Sequence, residues 1–432
     1  YVLRRMRALG MITAEQERAA ADRRPPIAPP APQSVGVAPL FVDWTRSLIK
    51  RELGEDDLYR GGLDVTTTLD LDIQREAEKA VAEILDREGD PEAAVVVIDV
   101  ATGGVRAMVG GRNKRLGDLN LVTQAKRQTG SAFKPIVLAA ALAEGKSLQD
   151  TYSAPGSIRL ALPGGQSWRV GNYDRRGYGR PTLERATAFS INTVFAQLIR
   201  DIGPEDVVAT AKAMGIKSHL DPVHALTLGT EEISPLELAT AYATIAREGI
   251  RLDPTGLRHI VSSKGRTRYR NLKPGDRGAG DQAIAPEVAS SVIDALQAVV
   301  RFGTGTRARL TGYTTWAKTG TTEDHADAWF AGGAGGYVAV VWVGYPQGRV
   351  PMTKVHGIKV VGSSFPLQIW KRVMTAVIEK YKPVDDELNR VPSIAPPPPP
   401  RRKPAGPSAS PAPEPSDSPT PSSNPLPIPT LL

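Results

Sequence analysis

The chain has 432 residues, 41% hydrophobic and 23% charged, the balance of a globular protein with room for one large domain or two ordinary ones. No apolar run approaches the roughly eighteen residues of a membrane span, and the absence of cysteine excludes disulfides and thiolate chemistry, which fits an extracytoplasmic bacterial protein. The net charge of +8 is read as arginines dispersed over a solvated surface, with an anionic surface such as cell wall or membrane headgroups as the alternative; no Lys/Arg run is dense enough for nucleic acid.

Tyr1 opens the chain with no signal-peptide layout after it, so the chain is read as part of something longer. Residues 1–24 are basic and helical in pattern, punctuated by Gly10, with Thr13 and Gln16 placed as a capping box. Pro25, Pro26, Pro29, Pro30 and Pro32 then predict a stiff, open linker. Phe41 to Leu53 regains helical character, and Leu63 to Thr68 reads as a strand. Asp70 or Asp72 caps a helix whose Ile73, Ala77, Val81 and Ile84 share one face. A hairpin follows: Ala94–Asp99 and Val105–Val109 flank a turn at 101–104, and the unbroken apolar run of the first strand predicts burial on both faces.

Next come Gly130, Ser131 and Lys134, where a serine three residues before a lysine opens the apolar run Ile136–Ala143. A helix apolar on all sides is buried, and residues three apart share a face, so Lys134 is expected to bring its amine toward the Ser131 hydroxyl. A hydroxyl beside an amine is a nucleophile beside a base. Residues 150–186, with scattered Gly and Pro, read as irregular surface structure. A helical run ends at Ser190, and Ser234-Pro235-Leu236-Glu237 combines two helix-start signals, with Tyr242 read as core. Residues 251–282 read as polar strands or loops, Ala285–Val300 as a helix, and 303–306 as a tight turn. Tyr313–Ala317 leads into Lys318, Asp327–Gly332 pairs with Tyr337–Gly344 across glycines, and Pro366–Lys380 closes the fold as a helix. From Ala395 onward proline, serine and alanine dominate, and the tail is predicted to be disordered or polyproline-like.

Ser-x-x-Lys at 131–134 is followed in order by Ser190-Ile191-Asn192 and Lys318-Thr319-Gly320-Thr321, the three elements of a serine acyl-enzyme site. Ser131 can attack, and Lys134 can take its proton if burial and a neighbouring cation such as Lys318 lower its pKa. Ser190 can relay a proton to a leaving nitrogen, and Asn192 can hold a peptide carbonyl or the base. Lys318, Thr319 and Thr321 can bind a substrate carboxylate, Gly320 is read as letting substrate approach the strand, and the N–H groups of Ser131 and Thr321 are the candidate oxyanion hole. The five histidines show no metal-ligand spacing, so no metal or other cofactor is expected; His325 and Asp324 can rim the site without a catalytic role.

These motifs resemble those of penicillin-binding proteins, and most closely the transpeptidase domain of the class A, bifunctional members. Tyr59–Leu63, Leu69–Gln74, Ala107–Gly111, Asn172-Tyr173, Ser234–Glu237 and Asp327–Phe330 support the resemblance, which runs from about residue 37 to about 380. It implies an α+β fold of the serine β-lactamase/DD-peptidase type: about five mostly antiparallel strands between helical layers, with the site at the sheet's edge. It implies a division into 1–36 (a remnant after a glycosyltransferase domain, with the Pro-rich linker), 37–91 (an inter-domain region), 92–382 (the transpeptidase domain) and 383–432 (the tail). Ser131 resembles the family's nucleophile, Lys134 its base, Ser190 and Asn192 the second motif, and Lys318 to Thr321 the carboxylate-binding strand. The implied activity is cross-linking of peptidoglycan stem peptides with release of terminal D-Ala, β-lactams acylating Ser131 as mimics of the donor. The implied location is the bacterial envelope, through an anchor outside this chain, with other wall-synthesis proteins as further partners. A D,D-carboxypeptidase or serine β-lactamase on the same scaffold, and a penicillin-acylated sensor or wall scaffold, are the alternatives.

Overall fold

The structure, a computed structural model, describes residues 1–21, 36–272 and 280–385. The predicted proline-rich linker at 22–35 and the tail beyond 385 lie outside the described residues. Short helices Val2–Ala8 and Ala14–Ala21 open the chain, and the Thr13 capping box forms: the Gln16 N–H donates to Thr13 Oγ1 at 3.1 Å and the Thr13 N–H to Gln16 Oε1 at 2.8 Å. Then follow α1 (Pro39–Leu53), β1 (Asp64–Thr67), α2 (Leu71–Ile84), β2 (Glu92–Asp99) and β3 (Val105–Gly110). Asp70 is the cap of α2, accepting from the Asp72 and Ile73 N–H groups. After α3 (Lys134–Ala143) come β4 (Ser157–Ala161), β5 (Ser167–Gly171), α4 (Asn192–Ile202), α5 (Pro235–Ala246), β6 (Leu257–Val261) and α6 (Pro286–Arg301). The last elements are β7 (Trp316–Thr321), β8 (Asp327–Ala334), β9 (Tyr337–Gly344) and α7 (Phe365–Tyr381).

Five antiparallel strands form the central sheet in the order β7-β8-β9-β2-β3. Successive side chains in a strand point to opposite faces, and β2 shows why its sequence lacks alternation. Ala94, Val96 and Ile98 pack into one core with α3, α5 and α6, while Ala93, Val95 and Val97 pack into a second core with α2 and α7. Each buried Val or Ile contributes roughly 1.5–3 kcal/mol, so the sheet is clamped between two helical layers, as the resemblance implies, and β2 is buried on both faces, as its apolar run predicts. The β8–β9 turn is Gly335-Gly336, at φ +56° and +74°, the two left-handed positions that a tight hairpin needs. β1 joins β6 in a separate small sheet.

The two edges of the main sheet are treated differently. At β3 the buried Gln74 side chain accepts from the Met108 N–H at 2.7 Å and donates to the Met108 carbonyl at 3.1 Å, an amide standing where a further strand would be. At the other edge β7 carries Lys318, and among the described residues its backbone pairs with β8 alone.

Residues 150–186, expected to be irregular, contain a regular hairpin, β4 paired with β5 from Ser157↔Gly171 to Ala161↔Ser167. Its buried Leu160 and Val170 form a small core with Ala196 of α4. The alternation of 157–161 and 167–171 was present in the sequence, but Pro163, Gly164 and Gly165 in the connecting loop obscured it.

Candidate active site

The turn that carries Ser131 is held by backbone contact. Gly130 has φ +55°, and a Cβ there would lie 2.6 Å from the Thr321 carbonyl oxygen. Its N–H donates to Gly229 O at 3.2 Å, and a Cβ on Gly229 would meet Gly130 O. The Trp329 indole N–H donates to Gln128 O at 2.8 Å, and the buried Tyr242 hydroxyl donates to Ala132 O at 2.8 Å. Tyr242 is therefore core, as expected, and also a clamp on the turn, which its sequence context did not show.

Ser131 does not sit in the α-helix itself. It lies in a 3₁₀ turn, Gly130–Phe133, and α3 begins at Lys134. Pro135 is the reason: it has no N–H for the Ser131 carbonyl, which takes the Lys134 N–H instead in a tighter bond. The tight turn changes the expected pairing. Lys134 Nζ donates to three acceptors, all in the second motif: Ser190 O at 2.8 Å, Ser190 Oγ at 3.2 Å and Asn192 Oδ1 at 2.6 Å. The Ser131 hydroxyl makes no hydrogen bond among the described residues.

The second motif is a helix end joined to a helix start. Helix Leu183–Ala188 closes with Ser190 N–H bonded to Thr187 O and Ile191 N–H to Ala186 O, a Schellman motif. Glycine is usual at its left-handed position; here Ser190 occupies it at φ +57°, which turns both its carbonyl and its hydroxyl to Lys134. Asn192 opens α4, and its Nδ2 donates to Gly171 O at 3.0 Å, so the amide is fixed between β5 and Lys134. Of the two roles weighed for Asn192, the geometry matches holding the base.

Lys318 reaches Ser190 from the third motif, with Nζ 2.9 Å from Ser190 Oγ and 3.1 Å from Thr319 O. One chain of hydrogen bonds thus links Asn192, Lys134, Ser190 and Lys318. Both amines are 0% exposed. Burial drives Lys134 well below the ordinary lysine range, with the Lys318 charge adding to it, and burial alone pushes Lys318 down to about 7. A hydroxyl has two lone pairs and one proton; Ser190 receives a lysine on each side and keeps its proton to donate.

The rest of the third motif divides by side chain. Thr319 Oγ1 lies 2.8 Å from Thr304 Oγ1, which comes from the tight turn after α6. Thr304 is the site residue that motif reading missed; its Gly-Thr-Gly-Thr turn was the available signal. Thr321 Oγ1 accepts from the Gly362 N–H at 3.1 Å and retains its own proton. Gly320 differs from expectation. A Cβ there would stand 2.4 Å from Thr129 O and 2.9 Å from Ala132 Cβ, so its small size seats β7 against the turn that carries Ser131 instead of opening the strand to substrate. His325 meets the loop after β5: its Nε2 lies 3.4 Å from the Tyr173 hydroxyl and its Nδ1 2.9 Å from Val360 O.

A layered fold with a serine and two buried lysines at the open edge of its sheet defines a class of active-site-serine proteins in which lysine stands in the place of histidine. The chain belongs to the penicillin-binding protein transpeptidase domain family, whose model matches residues 93–348, more than half its length. Penicillin-binding protein 1A of Aquifex aeolicus is 30% identical over 90% of this chain and 63% of its own. Penicillin-binding protein 1B of Escherichia coli is 34% identical over 74% of this chain and 38% of its own. The chain therefore spans less than two thirds of the length of these relatives. The structure of PonA1 from Mycobacterium tuberculosis in complex with penicillin V superposes with a TM-score of 0.71 at 31% identity, covering 84% of this chain and 100% of that one. Penicillin-Binding Protein 1A from Haemophilus influenzae, 20% identical with a TM-score of 0.72, shares the fold.

Proposed function

We propose that this chain is a peptidoglycan D,D-transpeptidase acting through an acyl-enzyme on Ser131. The observation that carries the reading is the hydrogen-bond chain Asn192–Lys134–Ser190–Lys318, which joins three distant segments beside the nucleophile turn. The Ser131 hydroxyl attacks the carbonyl of the penultimate D-Ala in a donor stem peptide. Lys134, whose charged form burial disfavours, takes the hydroxyl proton as one of its hydrogen bonds to the second motif is given up, and the N–H groups of Ser131 and Thr321 receive the developing oxyanion. The C–N bond breaks as Ser190 passes its proton to the leaving D-Ala nitrogen and is reprotonated from the lysines. An amine of a neighbouring stem peptide then attacks the Ser131 ester, releases the serine, and completes the cross-link.

Lys318, with the Thr319 and Thr321 hydroxyls, binds the terminal carboxylate of the donor, and the Thr304–Thr319 pair offers it two hydroxyls side by side. β-Lactams acylate the same serine, consistent with the penicillin V complex of the M. tuberculosis relative. The division at about residues 36, 91 and 382 belongs to the same reading, as does placement in the bacterial envelope through an anchor outside this chain. Among the described residues no helix is long and apolar enough to cross a membrane.

The test is incubation with a fluorescent penicillin beside a Ser131→Ala variant, with the adduct mapped by peptide mass spectrometry. Label on Ser131, absent from the variant, is the expected result. Folded protein that takes no label would overturn the assignment.

A further inference from the structure

We infer that the outer face of the β4–β5 hairpin, with the loop that follows it, is a docking surface for a polyanionic strand: the carboxylate-bearing glycan–peptide polymer of which the reacting stem peptide is one branch. The identity of the polymer rests on the transpeptidase reading; the charge of the surface does not. Residues 157–180 contain five arginines, Arg159, Arg169, Arg175, Arg176 and Arg180, against the single acid Asp174, a net +4 in 24 residues of a chain whose total is +8. Half of the net charge is thus gathered in one stretch, which departs from the dispersed surface expected of the composition. All five arginines are exposed, and among the described residues none of their side chains forms an ion pair or hydrogen bond. The lone acid, Asp174, accepts from the Tyr178 hydroxyl at 2.7 Å and from the Arg176 N–H at 3.0 Å, and its charge offsets part of that of Arg176 within the same loop.

The arrangement holds these charges together at a cost to the hairpin. Leu160 and Val170 are buried, so their neighbours Arg159 and Arg169 stand on the opposite, outer face, and the two are direct cross-strand partners. Like charges in register destabilise an antiparallel pair. Arg175 adopts φ +58°, a conformation that glycine or asparagine takes more readily. Its carbonyl oxygen would lie 2.3 Å from a Cβ on Gly156, which sets this turn against the base of β4. Folding alone gives no reason for arginine at these places; a negatively charged ligand does.

The surface is also tied to the site. Gly171, the last residue of β5, accepts from Asn192 Nδ2. Asn172 Oδ1 accepts from the Thr193 N–H at 3.1 Å, while its Nδ2 donates to Arg176 O at 2.8 Å and Pro155 O at 3.1 Å, so one buried side chain fixes the arginine loop to the start of α4. Tyr173 meets His325 just beyond the β7 motif. A strand whose peptide enters between the second and third motifs therefore passes directly beside the arginines. Multiple exposed charges bind a multivalent anion through additive, salt-sensitive contacts.

The experiment measures binding of fluorescently end-labelled, un-cross-linked glycan–peptide strands to the full chain and to a variant with all five arginines changed to Gln. Fluorescent-penicillin acylation, which requires no strand, monitors the fold of each. The expected result is strand binding at least tenfold weaker in the variant and weakened by salt in the unaltered chain, with acylation unchanged. Strands whose carboxylates have been amidated should bind the unaltered chain as weakly as native strands bind the variant. Equal binding by variant and unaltered chain, or undiminished binding of amidated strands, overturns the inference. Should the five-fold variant misfold, Arg159→Gln with Arg169→Gln, both on the outer hairpin face, is expected to lose at least threefold, and no loss overturns it. An unaltered chain that binds strands by these arginines yet takes no penicillin would sink the transpeptidase reading alone.

Discussion

Replacing Lys318 by methionine tests the electrostatics of the site through stability. The amine is fully buried and its pKa is pushed down to about 7, against about 10.4 for a free lysine. Between these values the unfolded chain holds a proton that the folded chain has released. Stability from this group therefore rises with pH above 7, at up to about 1.4 kcal/mol per pH unit, and is flat below it. Allowing for half-protonation at pH 7, the gain from pH 7 to pH 9 is about 2 kcal/mol. Methionine keeps the length of the side chain and removes the titration. Urea unfolding of both proteins at the two pH values isolates the term. The Lys318→Met variant is expected to be the more stable protein at pH 7, with its advantage smaller by about 2 kcal/mol at pH 9. A stability gap that does not change with pH, or one that widens, would refute the claim that this amine is held in a site hostile to its charge.

Asn192→Ala removes the 2.6 Å acceptor of Lys134 and the tie to Gly171, and a lost hydrogen bond, worth roughly 0.5–1.5 kcal/mol, should slow penicillin acylation about 2- to 10-fold in stopped-flow labelling. Asn192→Asp should act by charge: a carboxylate there favours the ammonium form, raises the Lys134 pKa and moves the acidic limb of the acylation profile to higher pH. Gly320→Ala places a methyl 2.4 Å from the Thr129 carbonyl, so thermal denaturation should show a loss of about 1–3 kcal/mol and acylation should collapse with it. Thr304→Val leaves the Thr319 hydroxyl without its 2.8 Å partner; acylation by a carboxylate-bearing β-lactam should fall about tenfold, corresponding to roughly 1.4 kcal/mol, with little change in melting temperature.

The sheet and its helical layers were legible because each has a local signature: the unbroken apolar run of β2, the glycine turn between β8 and β9, and the Ser234 capping box, in which Ser234 Oγ accepts from the Glu237 N–H. The second and third motifs were legible as residues but not as geometry. No local pattern says that Ser190 would take a left-handed conformation normally reserved for glycine, or that the Lys134 hydrogen bonds would go to the second motif. Those outcomes depend on Pro135 tightening the turn and on segments more than fifty residues away. The β4–β5 hairpin was missed because its short strands are separated by a loop rich in proline and glycine, and Thr304 because its Gly-Thr-Gly-Thr stretch signals a tight turn without showing that the turn lies beside Thr319. Gly320 was found for the wrong reason: its motif is visible in the chain, whereas the carbonyl that forbids a side chain there is visible only in three dimensions.

The amide of Gln74 on Met108 has a consequence for how this sheet can grow. A β-sheet with two open borders can be extended at either, by substrate or by another copy of itself. Here one border is covered: the Gln74 amide takes the donor and the acceptor of Met108, and the Arg106 and Gly110 carbonyls accept from the Asp70 and Leu121 N–H groups. The other border has no further strand beside it among the described residues and is flanked by the lysines. Among the described strands the sheet is thus one-sided in its capacity for extension: a sixth strand finds an unpaired neighbour at β7, beside Lys318, whereas an aligned self-assembly through β3 meets groups that are already bonded.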